Sequence, residues 1–264
     1  MKASDFEVID FEWRGRVLTI GLNNSHPLNA IDEKLHEELA QVFRFAALDP
    51  DSDIVILTGK GKGFCAGGNF EWFQKGIDNP ASFEAVARDG KEIVFSMLNL
   101  EKPLIAKVNG PAAGLGATIA LLSDVIFLSD DGQILDPHVK VGLVAGDGGA
   151  VIWPQLIGYA RAKHYLMTGE AVRPAKALEM GLVNFVVPRD ELDTAVDAYA
   201  EGLANGATRS IRWTKASINI GLKQLAHSIM DTSIGYEIST NTGADHQEAV
   251  HAFQQKREPK FTDL

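Results

Sequence analysis

A single cysteine, Cys65, stands in 264 residues, which excludes an intramolecular disulfide and the two-cysteine zinc spacings. Apolar runs long enough to cross a bilayer are absent, and the opening Met1-Lys2-Ala3-Ser4-Asp5-Phe6 lacks the basic-then-apolar pattern of a signal peptide, so a cytoplasmic protein with no membrane partner is expected. Positive charge is scarce too. The 25 Lys and Arg against 35 Asp and Glu leave a formal net charge of -10, which argues against a nucleic-acid partner. No linker divides the chain. With 45% hydrophobic and 23% charged residues it has the make-up of a soluble globular protein, and one domain over 1–264 is expected.

What is present is concentrated in two glycine-rich turns, Phe64-Cys65-Ala66-Gly67-Gly68-Asn69 and Asn109-Gly110-Pro111-Ala112-Ala113-Gly114-Leu115-Gly116. Each follows an apolar strand pattern and leads into a helix pattern. At such a junction the first helical N–H groups have no internal partner, and glycine lets the backbone approach a ligand closely. Two turns facing one another would form an oxyanion hole, which favours chemistry in which a carbonyl oxygen gathers charge. Helix capping is the competing reading of each turn alone. Cys65, with no obvious base beside it, reads as a packing residue rather than a nucleophile.

Along the chain, Val8–Glu12 and Val17–Leu22 alternate as a strand pair, and Ile31–Ala47 places Leu35, Leu39, Val42, Phe43 and Ala46 on one helical stripe. Strand patterns return at Ile54–Thr58, Leu104–Val108 and Val125–Leu128, giving repeated β/α units and an α/β fold class. After about residue 155 the strand signal fades. Helices are expected at Ala160–Met167, Arg173–Met180, Glu191–Leu203, Ser210–Leu225 and Ser228–Thr240.

These turns, with Pro27-Leu28-Asn29-Ala30, Leu166-Met167-Thr168-Gly169-Glu170, the run Ala175–Asn184 and the tail Ala252–Pro259, resemble the crotonase superfamily, also called the enoyl-CoA hydratase/isomerase family. The resemblance implies a spiral of ββα units (about 1–200) with a C-terminal helical cap and trimerisation region (about 201–264), assembled as a homotrimer or a dimer of trimers. It further implies an acyl-CoA substrate, with coenzyme A as part of the substrate and no separate cofactor or metal. By motif position the Gly68 and Leu115 N–H groups form the oxyanion hole. Asn29, Ala30, Lys62, Ala66, Gly67, Phe253 and Lys256 fall where the family holds the coenzyme.

Two glutamates that the family's hydratases use are missing here. Thr118 holds the first position and His138, in Leu135-Asp136-Pro137-His138, holds the second. A threonine hydroxyl is a poor base near neutral pH. An acid appears instead at Asp147, in Gly146-Asp147-Gly148-Gly149, and His138 with Asp147 would form a pair able to activate water or move a proton. A helix N-cap is the other reading of Asp147. The segment from His138 to Trp153 is similar to the β-diketone hydrolase (6-oxocamphor hydrolase) branch, where the matching pair works in retro-Claisen carbon–carbon cleavage and where a further histidine stands in the second turn at the place of Leu115. Glu237 stands where that branch has an acid; a solvated surface carboxylate is its plainer reading.

An acyl-CoA-processing enzyme, a crotonase-family lyase or hydrolase, is therefore expected. It would use His138, Asp147 and Glu237 on an acyl-CoA or β-dicarbonyl substrate. A hydratase or isomerase with relocated acid–base groups, and a non-catalytic acyl-CoA binder, remain as alternatives.

Overall fold

A computed structural model describes residues 1–262, so the last two positions of the expected 1–264 domain lie outside the described residues. The chain opens with β1 (Ile9–Arg14) and β2 (Val17–Leu22), an antiparallel hairpin turned at Gly15, where φ is +57°. Then follow α1 (Glu33–Leu48), β3 (Ile54–Gly59), α2 (Phe70–Asp78) and α3 (Phe83–Asn99). Next come β4 (Leu104–Val108), β5 (Pro111–Ala113), α4 (Leu115–Leu121), β6 (Val125–Ser129) and β7 (Gln133–Leu135). The rest is α5 (Gly149–Ile157), α6 (Tyr159–Thr168), α7 (Pro174–Met180), β8 (Phe185–Val187), α8 (Leu192–Ala204), α9 (Thr208–Asn241) and α10 (Ala244–Gln254).

The main sheet runs β1-β2-β3-β4-β6-β8, parallel from β2 onward, and β5 pairs with β7 in a second, smaller sheet. The repeats β4-β5-α4 and β6-β7-α5 place one strand in the main sheet and the next in the small one before a helix returns, which is the ββα pattern of the spiral. Strand β3 is buried along its whole length. That is why it reads as an unbroken apolar run: Val55 and Leu57 join the large core under the helices, while Ile54 and Ile56 pack with Val17, Ile105 and Phe127 against Leu192, Val196 and Ala200 of α8. Helix α1 starts where Asp32 accepts the Leu35 N–H at 2.9 Å, and its predicted stripe, Leu35 to Ala46, is fully buried. Among the described residues no helix is long and apolar enough to cross a membrane.

The structure differs from the sequence reading in several elements, among them α9, β8 and α3. The expected helices Ser210–Leu225 and Ser228–Thr240 are one 34-residue helix, α9, because Ala226-His227 between them carries no breaker and Ala226 is itself buried. Strand β8 lies beyond the point where the strand signal fades. It is three residues long, too short for an alternation, and pairing with β6 defines it. Helix α3 has no counterpart in the sequence reading, although Ile93, Val94, Met97 and Leu98 sit at helical spacing on its buried side.

The long helix α9 is pinned to the sheet by a charge. Lys215 Nζ lies 2.6 Å from Asp124 Oδ2 and donates to the Lys102 carbonyl at 2.8 Å, while Asp124 accepts the Leu104 N–H at 2.7 Å. Removing one member of a buried pair leaves the other uncompensated. Lys215→Met is expected to destabilise the fold by about 3 kcal/mol in urea denaturation, and adding Asp124→Asn should recover part of that loss.

Candidate active site

The two glycine-rich turns meet edge to edge. Cys65 and Ala112 form a parallel bridge: the Cys65 N–H donates to Pro111 O at 3.1 Å and the Ala113 N–H donates to Cys65 O at 2.9 Å. A side chain at Gly116 would put its Cβ 2.4 Å from Cys65 O, so this approach requires glycine. Gly67 and Gly114 take left-handed φ values of +78° and +52°, turning the chain so that Gly68 and Leu115 follow at the entrance to α2 and α4. The Gly68 and Leu115 N–H groups donate to no other group among the described residues. Both residues line one cavity of about 760 Å³, the place an oxyanion would occupy. Cys65 lies beneath it, fully buried, and burial pushes its thiol up to about 12, as suits a packing residue.

The same cavity is lined by His138, Asp147 and Glu237, which the fold gathers from the segment after β7, the loop before α5, and α9. His138 Nε2 lies 3.4 Å from Asp147 Oδ2, so the expected pair is in contact. Thr118 Oγ1 donates to Asp147 Oδ1 at 3.2 Å; the residue in the glutamate's place thus holds the new acid. Asp147 precedes α5 and also accepts the Gly149 N–H, so it partly caps that helix while serving the cavity. Glu237 is no solvated surface group: its carboxylate lies beside Gly146, where a Cβ would come within 2.6 Å of Oε2.

Sequence reasoning missed Asp136. It is fully buried, its Oδ1 lies 2.5 Å from His138 Nδ1, and its Oδ2 has no hydrogen-bond partner among the described residues. The signal was present in Asp-Pro-His, since an Asp two residues ahead can accept the His138 N–H, here at 3.4 Å. Atoms of Asp136, His138 and Asp147 lie within 4.8 Å of one another. Both ring nitrogens face carboxylate oxygens, so the cluster is knit by hydrogen bonds that a metal ion would have to break.

Burial works against a charged imidazole, but Asp136 and Asp147 outweigh it and hold His138 well above the ordinary histidine pKa. For Asp147, burial acts upward, yet the facing His138 and the hydrogen bonds from Thr118 and Gly149 carry it below the usual carboxylate range. Burial, then the charge of Asp147, push Glu237 up to about 8, so it is protonated at neutral pH. The site at rest thus holds an imidazolium, an ionised Asp147 and a neutral carboxylic acid.

The expected coenzyme residues fall into three places. Ala66 and Gly67 line the main cavity. Asn29 and Lys62 line a separate recess of about 330 Å³ with Lys60, and the Asn29 side chain donates to the carbonyls of Lys60, Gly63 and Phe64 at 3.1, 3.0 and 3.2 Å, which holds that rim in shape. Ala30 adjoins it and accepts Asn24 Nδ2 at 2.8 Å. Phe253 stacks flat on Phe70 of the cavity wall, ring centres 3.6 Å apart, whereas exposed Lys256, at φ +53°, lines neither cavity. Trp72 and Phe73 also line the cavity, whereas Trp153 is core.

The enoyl-CoA hydratase/isomerase family model matches residues 12–264. The chain belongs to that family. It is 31% identical over 250 residues to the 1,2-epoxyphenylacetyl-CoA isomerase of Escherichia coli strain K12, covering 93% of this chain and 95% of the other. Among solved structures, an enoyl-CoA hydratase/isomerase from Mycobacterium paratuberculosis superposes with a TM-score of 0.89 at 34% identity, covering 94% of this chain and 99% of the other. A β-diketone hydrolase from the cyanobacterium Anabaena sp. PCC 7120, bound to (S)-3-oxocyclohexyl acetic acid, superposes with a TM-score of 0.84 at 28% identity, covering 90% and 96%. In this member of the family the Asp136 contact predicts a measurable property of His138. Asp136→Asn keeps an acceptor for Nδ1–H but removes the charge, so NMR titration of the imidazole is expected to show its pKa falling by at least about one pH unit.

Proposed function

We propose that the chain hydrolyses a carbon–carbon bond of a β-dicarbonyl or β-ketoacyl substrate carried as a coenzyme A thioester, a retro-Claisen reaction run by His138, Asp147 and Glu237. The observation that carries this reading is the His138–Asp147 contact of 3.4 Å inside the cavity, with Thr118 supporting Asp147 where a catalytic glutamate would otherwise stand. Asp136 on Nδ1 selects the tautomer that turns Nε2 toward Asp147 and the cavity. Once His138 has lost its proton, Nε2 takes a proton from water, with Asp147 steadying the imidazolium that forms.

The hydroxide adds to the ketone carbon. The bond from that carbon to the α-carbon then breaks, and its electron pair passes into the thioester carbonyl as an enolate whose oxygen rests on the Gly68 and Leu115 N–H groups. Glu237 protonates the α-carbon, and the proton held on His138 restores Glu237. Water is consumed, and a carboxylic acid and a shortened thioester leave. The recess at Asn29 and Lys62, with Phe253 and Lys256, supports binding of the nucleotide end, and no separate cofactor enters the reaction. A hydratase or isomerase reading draws on one specific feature: ionised Asp147 beside protonated Glu237 is also a base–acid pair.

Incubation with β-ketoacyl-CoA esters and cyclic β-diketones in oxygen-18 water is expected to put label into a newly formed carboxylate as the carbon chain is cut. Hydrated, uncut crotonyl-CoA under the same conditions would favour the hydratase reading instead. Asp147→Asn should reduce turnover by at least about a hundredfold while leaving ligand affinity near its original value. Because His138 must lose a proton and Glu237 must keep one, activity is expected to rise with pH above neutrality and to fall again as Glu237 ionises near 8. Glu237→Gln, which cannot donate that proton, should cut turnover sharply and remove the falling limb from the activity that remains.

A further inference from the structure

The cavity wall carries a polar side chain that the proposed reaction does not use and that the fold leaves unpaired. Asn241, in the last turn of α9, is only 2% exposed yet lines the cavity, and its Oδ1 is buried without a hydrogen-bond partner among the described residues. The amide faces Gly76 of α2, where a Cβ would stand 3.9 Å from Nδ2, 4.0 Å from Oδ1 and 4.0 Å from Phe83 Cδ2. Gly76 and Phe83 line the same cavity, so the missing side chain at position 76 leaves the amide uncovered on that side. A buried polar atom without a partner is unfavourable, and a ligand that supplies the partner gains by binding there.

Helix α2 runs along the cavity from Gly68, just before its first turn, through Phe70 and Phe73 to Gly76. At the rise of a helix, Gly68 and Gly76 are roughly 10 Å apart. The oxyanion site thus lies at one end of α2 and Asn241 at the other. On α9, Asn241 follows Glu237 by four residues, and both point into the cavity one turn apart. A group held by Asn241 therefore belongs to the acyl part of a bound thioester, beyond its reacting carbons.

An amide has both a donor and an acceptor to satisfy. A hydroxyl can give and accept a hydrogen bond and so answers either edge, whereas a ketone answers only the N–H. A carboxylate is disfavoured, because Glu33, Glu37, Asp78 and Asp89 line the cavity and Lys75 is the only Lys or Arg among its lining residues.

We propose that Asn241 is a specificity-determining residue that binds a hydroxyl at the far end of the acyl chain, so that the cavity selects hydroxylated acyl thioesters over plain ones of equal length. This rests on the acyl-CoA part of the reading above and not on carbon–carbon cleavage.

The test is calorimetric binding of saturated acyl-CoA thioesters of about six to ten carbons, lengths that bracket roughly 10 Å of extended chain, each compared with its terminally hydroxylated counterpart. These ligands have no 3-oxo group and no double bond, so the unmodified protein binds them without turnover. At the best-matched length the hydroxylated ligand is expected to bind at least about tenfold more tightly, since a site that hydrogen-bonds a hydroxyl discriminates against an analogue lacking it. Asn241→Leu, close to isosteric, should abolish that preference and leave the plain ligand bound as before. In urea denaturation without ligand the same variant should match or exceed the parent's midpoint, because an apolar side chain replaces an unpaired amide.

Equal binding of both ligands at every length, or an unchanged preference in Asn241→Leu, would overturn the assignment. A lowered urea midpoint with equal weakening of both ligands would overturn it too, by marking Asn241 as support for the end of α9. Binding of neither ligand would remove the acyl-CoA reading and this assignment with it. A hydroxyl preference that depends on Asn241 stands whether or not the oxygen-18 experiment finds cleavage, so the two proposals fail separately.

Discussion

The backbone pairing between Cys65 and Ala112 is the contact on which the site depends. It joins the turn after β3 to the turn after β4, so the starts of α2 and α4 open on a common cavity. Only glycine permits it: a Cβ at Gly116 or Gly67 would run into the backbone oxygen of Cys65 or Ala113. The buried Cys65 side chain fills the space beneath the junction. The Gly68 and Leu115 N–H groups are left without a hydrogen-bond partner among the described residues as a consequence of this packing.

A second constraint is the crowding of acids. Asp136, Asp147 and Glu237 surround a single cation, His138, in a space where unpaired charge is unfavourable. Asp136 and Asp147 take the two ring nitrogens. Glu237, with no cation left to it and Asp147 nearby, keeps its proton. A glutamate at position 118 would have added a fourth carboxylate, whereas Thr118 supplies a hydroxyl donor that steadies Asp147. Their protonation therefore follows from the order in which these carboxylates find positive charge.

Much of the fold is legible in residue order because it rests on local pattern. The alternation in β2, the doubly buried run of β3 and the α1 stripe each record which faces meet the core. Three-residue β8 carries too little pattern to show itself, since its place comes from hydrogen bonds to β6. The boundary drawn inside α9 failed for the opposite reason. Helical pattern varies along 34 residues, and one continuous backbone ladder overrides local weakness.

Sequence alone determined the glycine turns, the absence of the two usual glutamates and the presence of His138 and Asp147, because these are matters of residue identity at known spacing. Tertiary structure decided which groups touch. Asp136 became the partner of Nδ1, and Glu237 left the solvent for the cavity. Residues 138 and 147 are far from 237 in the chain. Their protonation depends on burial and on distances of a few ångströms, quantities that exist only once the spiral has closed.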